Sequence, residues 1–314
     1  MAQIQSPSHP PARPLKLRGG AWLFEPKVAT INKGYQSVIR WSKGGRKSGK
    51  GAEEEEGEES VPRCSDASQD PQRVRGIERT NDDSTMSKAS ACREGYLEDA
   101  FLRRGLYQTR LCRRTALINR GYFVRMELVR GLISSFIDRT AELQLGSQVV
   151  VLGAGYDTSY LHFKERQRLD HVRWMEIDLP AVLRRKSDML RQDPLACAHP
   201  ELIRLDLGGE GTSLETSDLI LVGGDLRELR ELDEAVERTR FCSSHAPTLV
   251  LAECVLQYLE EEEVRRLLLW VRQRFPNAVL VSYDQTGPCD LFGQVMTSSL
   301  KRKEQALKAI SSSP

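Results

Sequence analysis

The sequence predicts an α/β fold built on a doubly wound, mostly parallel sheet, and three features carry that expectation. Five short β-branched runs recur after residue 146, and stretches of helical periodicity separate them. Each run stays apolar until its carboxyl end, where an acid, a glycine or both appear. That is the pattern of parallel strands covered on both faces, and repeated strand-then-helix units imply right-handed crossovers.

Residues 1–75 are of a different kind. "SPSHPPARP", "GGRKSGKG" and "AEEEEGEES" are rich in Pro, Gly and Ser and carry charge blocks of opposite sign, the composition of a disordered leader. Glu25 is the only acid before Glu53, which suits a mitochondrial presequence, but the prolines and the lack of an amphipathic stripe weigh against one. The basic half reads as a solvated tail in preference to an RNA-binding arm.

Residues 76–145 read as a helical cap. "NDDSTMSKAS" predicts a short capped helix bearing Lys88, and "GYLEDAFLRR" predicts a second helix. "GYFVRMELVRGLISSFIDRTAE" predicts a third, strongly amphipathic one. Residues 146–300 hold the sheet, with strands at "QVVVLGAG", "VRWMEIDLP", "DLILVGGDL", "PTLVLAECV" and "NAVLVSYDQ". In "EEEEVRRLLLWVRQRF", Val264, Leu267, Leu268, Val271 and Phe275 recur at helical spacing and read as core. Residues 301–314 form a tail.

The bulk numbers narrow the class. A chain of 314 residues with 39% hydrophobic residues can bury a substantial core. Its seven cysteines are scattered without a CxxC pair, which suits reduced thiols in the cytoplasm or nucleus and neither a disulfide framework nor a metal site. No run approaches the roughly 20 apolar residues of a membrane helix. A net charge of +2 neither demands nor excludes nucleic acid. The five histidines form no motif.

In an open parallel sheet, ligands bind outside the carboxyl ends of the strands. The candidates are Gly153, Ala154, Gly155 and Asp157 after the first strand, Glu176 and Asp178 at the second, and Asp225 and Leu226 after the third. Glu253 ends the fourth strand, and Tyr283, Asp284 and Gln285 end the fifth. A dinucleotide fingerprint wants a small third residue where Thr158 stands, and Asp157 would repel a pyrophosphate. A nicotinamide dehydrogenase is therefore disfavoured. A cationic ligand with a ribose fits better: Asp178 can accept ribose hydroxyls, Asp225 with the Leu226 amide can meet an adenine edge, and Glu253 can hold an ammonium. Those requirements describe S-adenosylmethionine. Its carboxylate needs a cation, and Lys88, Arg120 and Arg125 lie upstream of the sheet.

The ordered blocks "INRGYFVR", "LGAGYDT", "EIDLP", "GDLREL", "LAECVLQYL" and "YDQTGPCDLFGQVM" resemble the leucine carboxyl methyltransferases. The resemblance spans about residues 80–296. It implies a Rossmann-like, class I S-adenosylmethionine-dependent O-methyltransferase. Lys88 and Arg125 then look like the cations on the cofactor's carboxylate, and Gly153 and Gly155 like its glycine turn. Asp178 looks like the ribose acid, Asp225 and Leu226 like the adenine pair, and Glu253 like the residue near the amino group. Arg120 and Tyr122 are candidates for the substrate side.

One branch of the family methylates the C-terminal leucine of the type 2A protein phosphatase catalytic subunit. The other, in wybutosine biosynthesis, acts on the amino-carboxypropyl side chain of a modified guanosine in phenylalanine tRNA, and Thr80, Asn81, Asp82 and Ser84 resemble that branch more. Family sheets continue past the "FGQ" block for two more strands, and the wybutosine branch adds a Kelch propeller. The sequence therefore reads as a shortened member lacking the C-terminal strands, either an active methyltransferase or a non-catalytic binding fragment. The substrate carboxylate is itself a nucleophile, so the implied catalysis is alignment without a general base.

Overall fold

The computed structural model describes residues 35–41, 71–103, 113–192, 213–215, 218–239, 245–285 and 291–302. Strands β1 (Tyr35–Trp41), β2 (Ser147–Leu152), β3 (Val172–Asp178), β4 (Ser213–Glu215), β5 (Leu219–Gly223), β6 (Thr248–Glu253) and β7 (Ala278–Gln285) form one sheet. Its order is β1-β7-β6-β2-β3-β5-β4. The five strands from β7 to β5 are parallel, and the edge strands β1 and β4 are antiparallel. These five are the five apolar runs of the sequence.

The continuous apolarity of the runs has the expected cause. Val149 and Val151 of β2 face one core with Trp174, Leu219 and Leu249. Val150 and Leu152 face the opposite core with Met175, Ile220 and Val250. Helices α3 (Ala116–Glu142), α4 (Ser159–Glu165) and α5 (Pro180–Gln192) cover the first face, through residues such as Ile133, Tyr160 and Leu183. Helices α6 (Leu229–Arg238) and α7 (Glu261–Arg274) cover the second, through Leu232, Val236, Leu267, Trp270 and Val271. A capping box starts α7, with the Glu260 N–H donating to Glu263 Oε2 at 2.7 Å. Helix α8 (Leu291–Arg302) follows β7.

The cap differs from its expectation in two places. The helix carrying Lys88, α1, is long, running from Pro71 to Arg93. Within it Thr85 Oγ1 donates to the Asn81 carbonyl at 2.7 Å and Ser87 Oγ to the Asp83 carbonyl at 2.8 Å, so these hydroxyls are satisfied by the helix's own backbone. The second helix, α2, is only Ala100–Arg103. Asp99 starts it there, its Oδ1 accepting the Phe101 and Leu102 N–H groups at 3.0 and 2.9 Å. Helix α1 also begins inside the segment assigned to the leader.

Strand β1 is a further correction to a wholly disordered leader. Tyr35, Val38, Ile39 and Trp41 favour strands, and their segment pairs along the whole of β7, from Tyr35 opposite Gln285 to Trp41 opposite Val279. The parallel strands end at β7 but the sheet does not: an antiparallel strand from ahead of the cap flanks it. The other residues of 1–70, and those of 303–314, lie outside the described residues. Among the described residues, no helix is long and apolar enough to cross a membrane.

Candidate cofactor and substrate site

From β2 the chain winds to β3 and β5 on one side, then returns to β6 and β7 on the other. The carboxyl ends of β2 and β6 meet at this switch point, where an open sheet leaves a crevice. A cavity of about 730 Å³ lies there. Lys88, Arg120, Tyr122, Arg125, Gly153, Gly155, Asp178, Asp225, Leu226 and Glu253 line it, as do the strand-end candidates Ala154, Asp157, Tyr283 and Gln285. Glu176 and Asp284 do not: Glu176 is buried against Lys186, and Asp284 accepts from Ser282.

Its centre is a charge-balanced quartet. Lys88 Nζ of α1 lies 3.2 Å from Asp157 Oδ2 and 3.6 Å from Glu253 Oε1. Arg125 of α3 pairs with Glu253 through its Nε. The Arg125 guanidinium carbon also sits 5.4 Å from the Tyr122 ring centre and 5.8 Å from that of Tyr283, a cation flanked by two aromatic rings. Burial opposes charge on Lys88, but Glu253 and Asp157 more than offset it, and its pKa stands above the ordinary lysine value. Burial likewise favours neutral Asp157 and Glu253. Lys88 reverses that for Asp157, and Arg125 with Lys88 reverses it for Glu253, so both carboxyls stay below their usual range.

The glycine turn has two reasons to be glycine. Gly153 and Gly155 adopt φ of +63° and +49°, where a Cβ is strained. A Cβ on Gly153 would also come within 2.2 Å of Val255 Cγ2, and one on Gly155 within 2.7 Å of Asn81 Oδ1. Close approach here is by the protein's own side chains. The turn is tied to β3, with the Gly155 and Leu179 N–H groups donating to the two oxygens of Asp178 at 2.6 and 2.7 Å. Burial nevertheless pushes the Asp178 carboxyl above the usual aspartate value.

The adenine-side pair is more engaged than its sequence suggests. Arg227 clamps Asp225, its backbone N–H and Nε both donating to Oδ1 at 2.9 and 2.8 Å while Nη2 reaches Oδ2. Leu226 packs into the second core beside Leu232 and Ile177. Arg120 is exposed at the rim.

Thr158, at the third fingerprint position, is pinned to the cap. Its hydroxyl donates to Asp99 Oδ2 at 2.6 Å and accepts from Arg130 Nη2 at 3.1 Å, and Arg130 pairs with the same Asp99 oxygen. A small third residue would leave this junction unmade. Cys254, immediately after Glu253, has φ +55°. This is an uncommon conformation for a non-glycine residue, and it lies next to the quartet where β6 ends, with the Cys254 N–H still donating to the Tyr283 carbonyl of β7 at 2.6 Å.

S-adenosylmethionine fits this donor set. The set offers two buried cations of the kind a carboxylate needs, and acids of the kind an ammonium and a ribose need. Asn81 Nδ2, buried at the cavity wall with no hydrogen-bond partner among the described residues, adds a donor. Sequence reasoning gave Asn81 and Arg227 no ligand role in this site, and it named Asp157 as a candidate without foreseeing its pairing with Lys88. The Asp225-x-Arg227 spacing was the one local signal available. Among the described residues no cluster of His, Cys, Asp and Glu is arranged to hold a metal.

Residues 100–272 match the family model of the leucine carboxyl methyltransferases. The chain belongs to that family. It is 37% identical over 236 residues to the rat tRNA wybutosine-synthesizing protein 4, covering 74% of this chain and 34% of that protein. The human protein of that name is 36% identical over 244 residues, 77% of this chain and 35% of the relative. Bovine leucine carboxyl methyltransferase 1 is 32% identical over 241 residues, 75% of this chain and 70% of the relative. The chain thus spans about a third of the wybutosine relatives it matches. Among solved structures, the SAH-bound form of CalO1, a methyltransferase in calicheamicin biosynthesis, aligns at 17% identity and a TM-score of 0.33, covering 76% of this chain and 62% of that one.

Proposed function

We propose that this chain is an S-adenosylmethionine-dependent carboxyl O-methyltransferase that methylates the amino-carboxypropyl side chain of a modified guanosine in phenylalanine tRNA. The observation that carries the reading is the Lys88, Asp157, Glu253, Arg125 quartet lining the switch-point cavity. A charge-neutral group of two cations and two acids complements the zwitterionic end of an amino acid. The wybutosine branch is favoured by the higher identity to its proteins and by Thr80, Asn81 and Ser84, residues of the block that resembles it, which line the same cavity.

Bound S-adenosylmethionine would supply an electrophilic methyl group. The chain's own work is positional. Lys88 and Arg125 hold a carboxylate, Glu253 an ammonium and Asp178 a ribose, while Arg120 at the rim meets the incoming substrate's negative charge. A carboxylate is ionised at neutral pH and needs no base, so alignment and the exclusion of water by the cap account for the rate. The reduced thiols fit a cytoplasmic or nuclear setting.

The test offers the chain labelled methyl donor with phenylalanine tRNA bearing the unmethylated side chain and, separately, with the phosphatase catalytic subunit ending in leucine. Base-labile label on the tRNA is the expected result. Label on the phosphatase alone would move the chain to the other branch, and cofactor binding without turnover on either would make it a binding fragment.

A further inference from the structure

A side chain outside the cofactor-facing set stands out for what it lacks. Gln285, the last residue of β7, lines the cavity and is only 9% exposed. Neither its Oε1 nor its Nε2 has a hydrogen-bond partner among the described residues. Its backbone is held: the Gln285 N–H donates to Gln257 Oε1 at 3.4 Å, and its register opposite Tyr35 is fixed by the sheet. A buried amide with both ends unsatisfied is costly and is uncommon without a partner that arrives later. Leucine or methionine of similar volume would serve packing alone better.

Its position says what that partner is. β6 and β7 pair with Glu253 opposite Tyr283, and Gln285 lies two residues beyond Tyr283 on the same face of the strand. It therefore lies two residues beyond the level of Glu253 along the strand, in the same cavity where a substrate would meet the methyl donor. A primary amide offers a donor and an acceptor side by side. A carboxylate with an N–H on the adjacent carbon matches both, and it is the pair that the proposed substrate presents.

We infer that Gln285 is a specificity-determining residue that reads the α-amino-carboxylate end of the substrate, its Nε2 donating to the carboxylate and its Oε1 accepting from the α-nitrogen. This rests on the proposed reaction, in which an amino-carboxypropyl group presents that pair, and it deepens that reading by naming what selects the group.

The test uses the full chain saturated with S-adenosylhomocysteine and compares wild type with Gln285→Leu and Gln285→Glu. The probes are phenylalanine tRNA with and without the amino-carboxypropyl side chain. Expected for Gln285→Leu are cofactor affinity within about twofold of wild type, a melting temperature equal to or above wild type, and about tenfold weaker binding of the side-chain-bearing tRNA only, the weight of a hydrogen bond to a charged group. Gln285→Glu should lose more, because its carboxylate repels that of the substrate. A residue that only supported the fold would show the opposite pairing, a lower melting temperature with unchanged discrimination, and that result overturns the inference. If the wild type does not distinguish the two tRNAs, the proposed substrate fails, and the same variants are measured with a peptide ending in a free leucine. A Gln285→Leu loss there keeps the recognition and moves the substrate, and no loss on either probe overturns it.

Discussion

Replacing Lys88 with methionine separates what the quartet does for the fold from what it does for the cofactor. Lys88 is the only cation within ion-pairing distance of Asp157 among the described residues, and both side chains are nine-tenths buried. Removing it leaves Asp157 with the Ser159 N–H at 2.8 Å and no paired charge. Breaking a buried pair from one side costs roughly 3–5 kcal/mol, so the melting temperature should fall by about 6–20 °C at ~2–4 °C per kcal/mol. Glu253 keeps Arg125 and limits the damage to one carboxylate. The double variant Lys88→Met with Asp157→Asn removes the stranded charge but keeps an acceptor for Ser159, and most of the melting temperature should return. Cofactor affinity should not return with it, because the carboxylate of the methyl donor has lost one of its two cations, about 10- to 100-fold in Kd. Thermal melts and calorimetric titration with S-adenosylmethionine on the two variants decide it. Full affinity in the double variant would mean that Lys88 serves the fold alone.

Three further outcomes follow from the same geometry. Gly153→Ala combines a left-handed φ with overlap onto Val255 and should lose about 2–4 kcal/mol in denaturant melts. Adding Val255→Ala should recover the steric part only, leaving the backbone strain. Burial pushes the Cys254 thiol up to about 11 from an ordinary 9, so at pH 8 its thiolate fraction and alkylation rate should be roughly a hundredfold below those of an exposed cysteine, as mass mapping of iodoacetamide adducts will show. Burial, with Arg130 beside it, lowers the pKa of His162 from 6.5 to about 4. The unfolded chain then binds the proton first as pH falls, so the stability of the neutral ring is present above pH 6.5 and lost between 6.5 and 4. Urea melts of wild type and His162→Gln across that window should show a shallower pH slope in the variant, and equal slopes would remove His162 from the cause.

The parts legible in the sequence share a local signature. The five parallel strands announce themselves because burial on both faces forces unbroken apolar runs, and the ligand-facing acids are conspicuous because they end those runs. Hence Asp178, Asp225 and Glu253 fall on one cavity with the glycine turn, whereas Glu176, which ends its run in the same way, is spent on Lys186. What escaped was set by contacts between distant segments. Tyr35–Trp41 is a short strand inside a stretch whose composition is dominated by Pro, Gly, Ser and charge blocks, and only its pairing with β7 identifies it. Helix α1 runs through residues of poor helical propensity because tertiary packing overrides that preference, and the three residues of β4, Ser213–Glu215, carry too little pattern to detect. Asn81 and Gln285 could not be ranked from sequence, since an amide's importance here lies in the partner it lacks. Asp157 read as a repellent for phosphate, whereas in the fold it is the counter-charge of Lys88.

The quartet draws its cations and its acids from different layers: Lys88 and Arg125 stand on cap helices, Asp157 and Glu253 on the edge of the sheet. The crevice is therefore a clasp, and whatever fills it fastens the cap down. A ligand present at a hundred times its Kd adds about 2.7 kcal/mol to the bound form, and in this architecture that energy falls on the joint between α1, α3 and the strand ends. On the proposed function that ligand is the methyl donor, and its binding would tighten the joint between the cap helices and the strand ends.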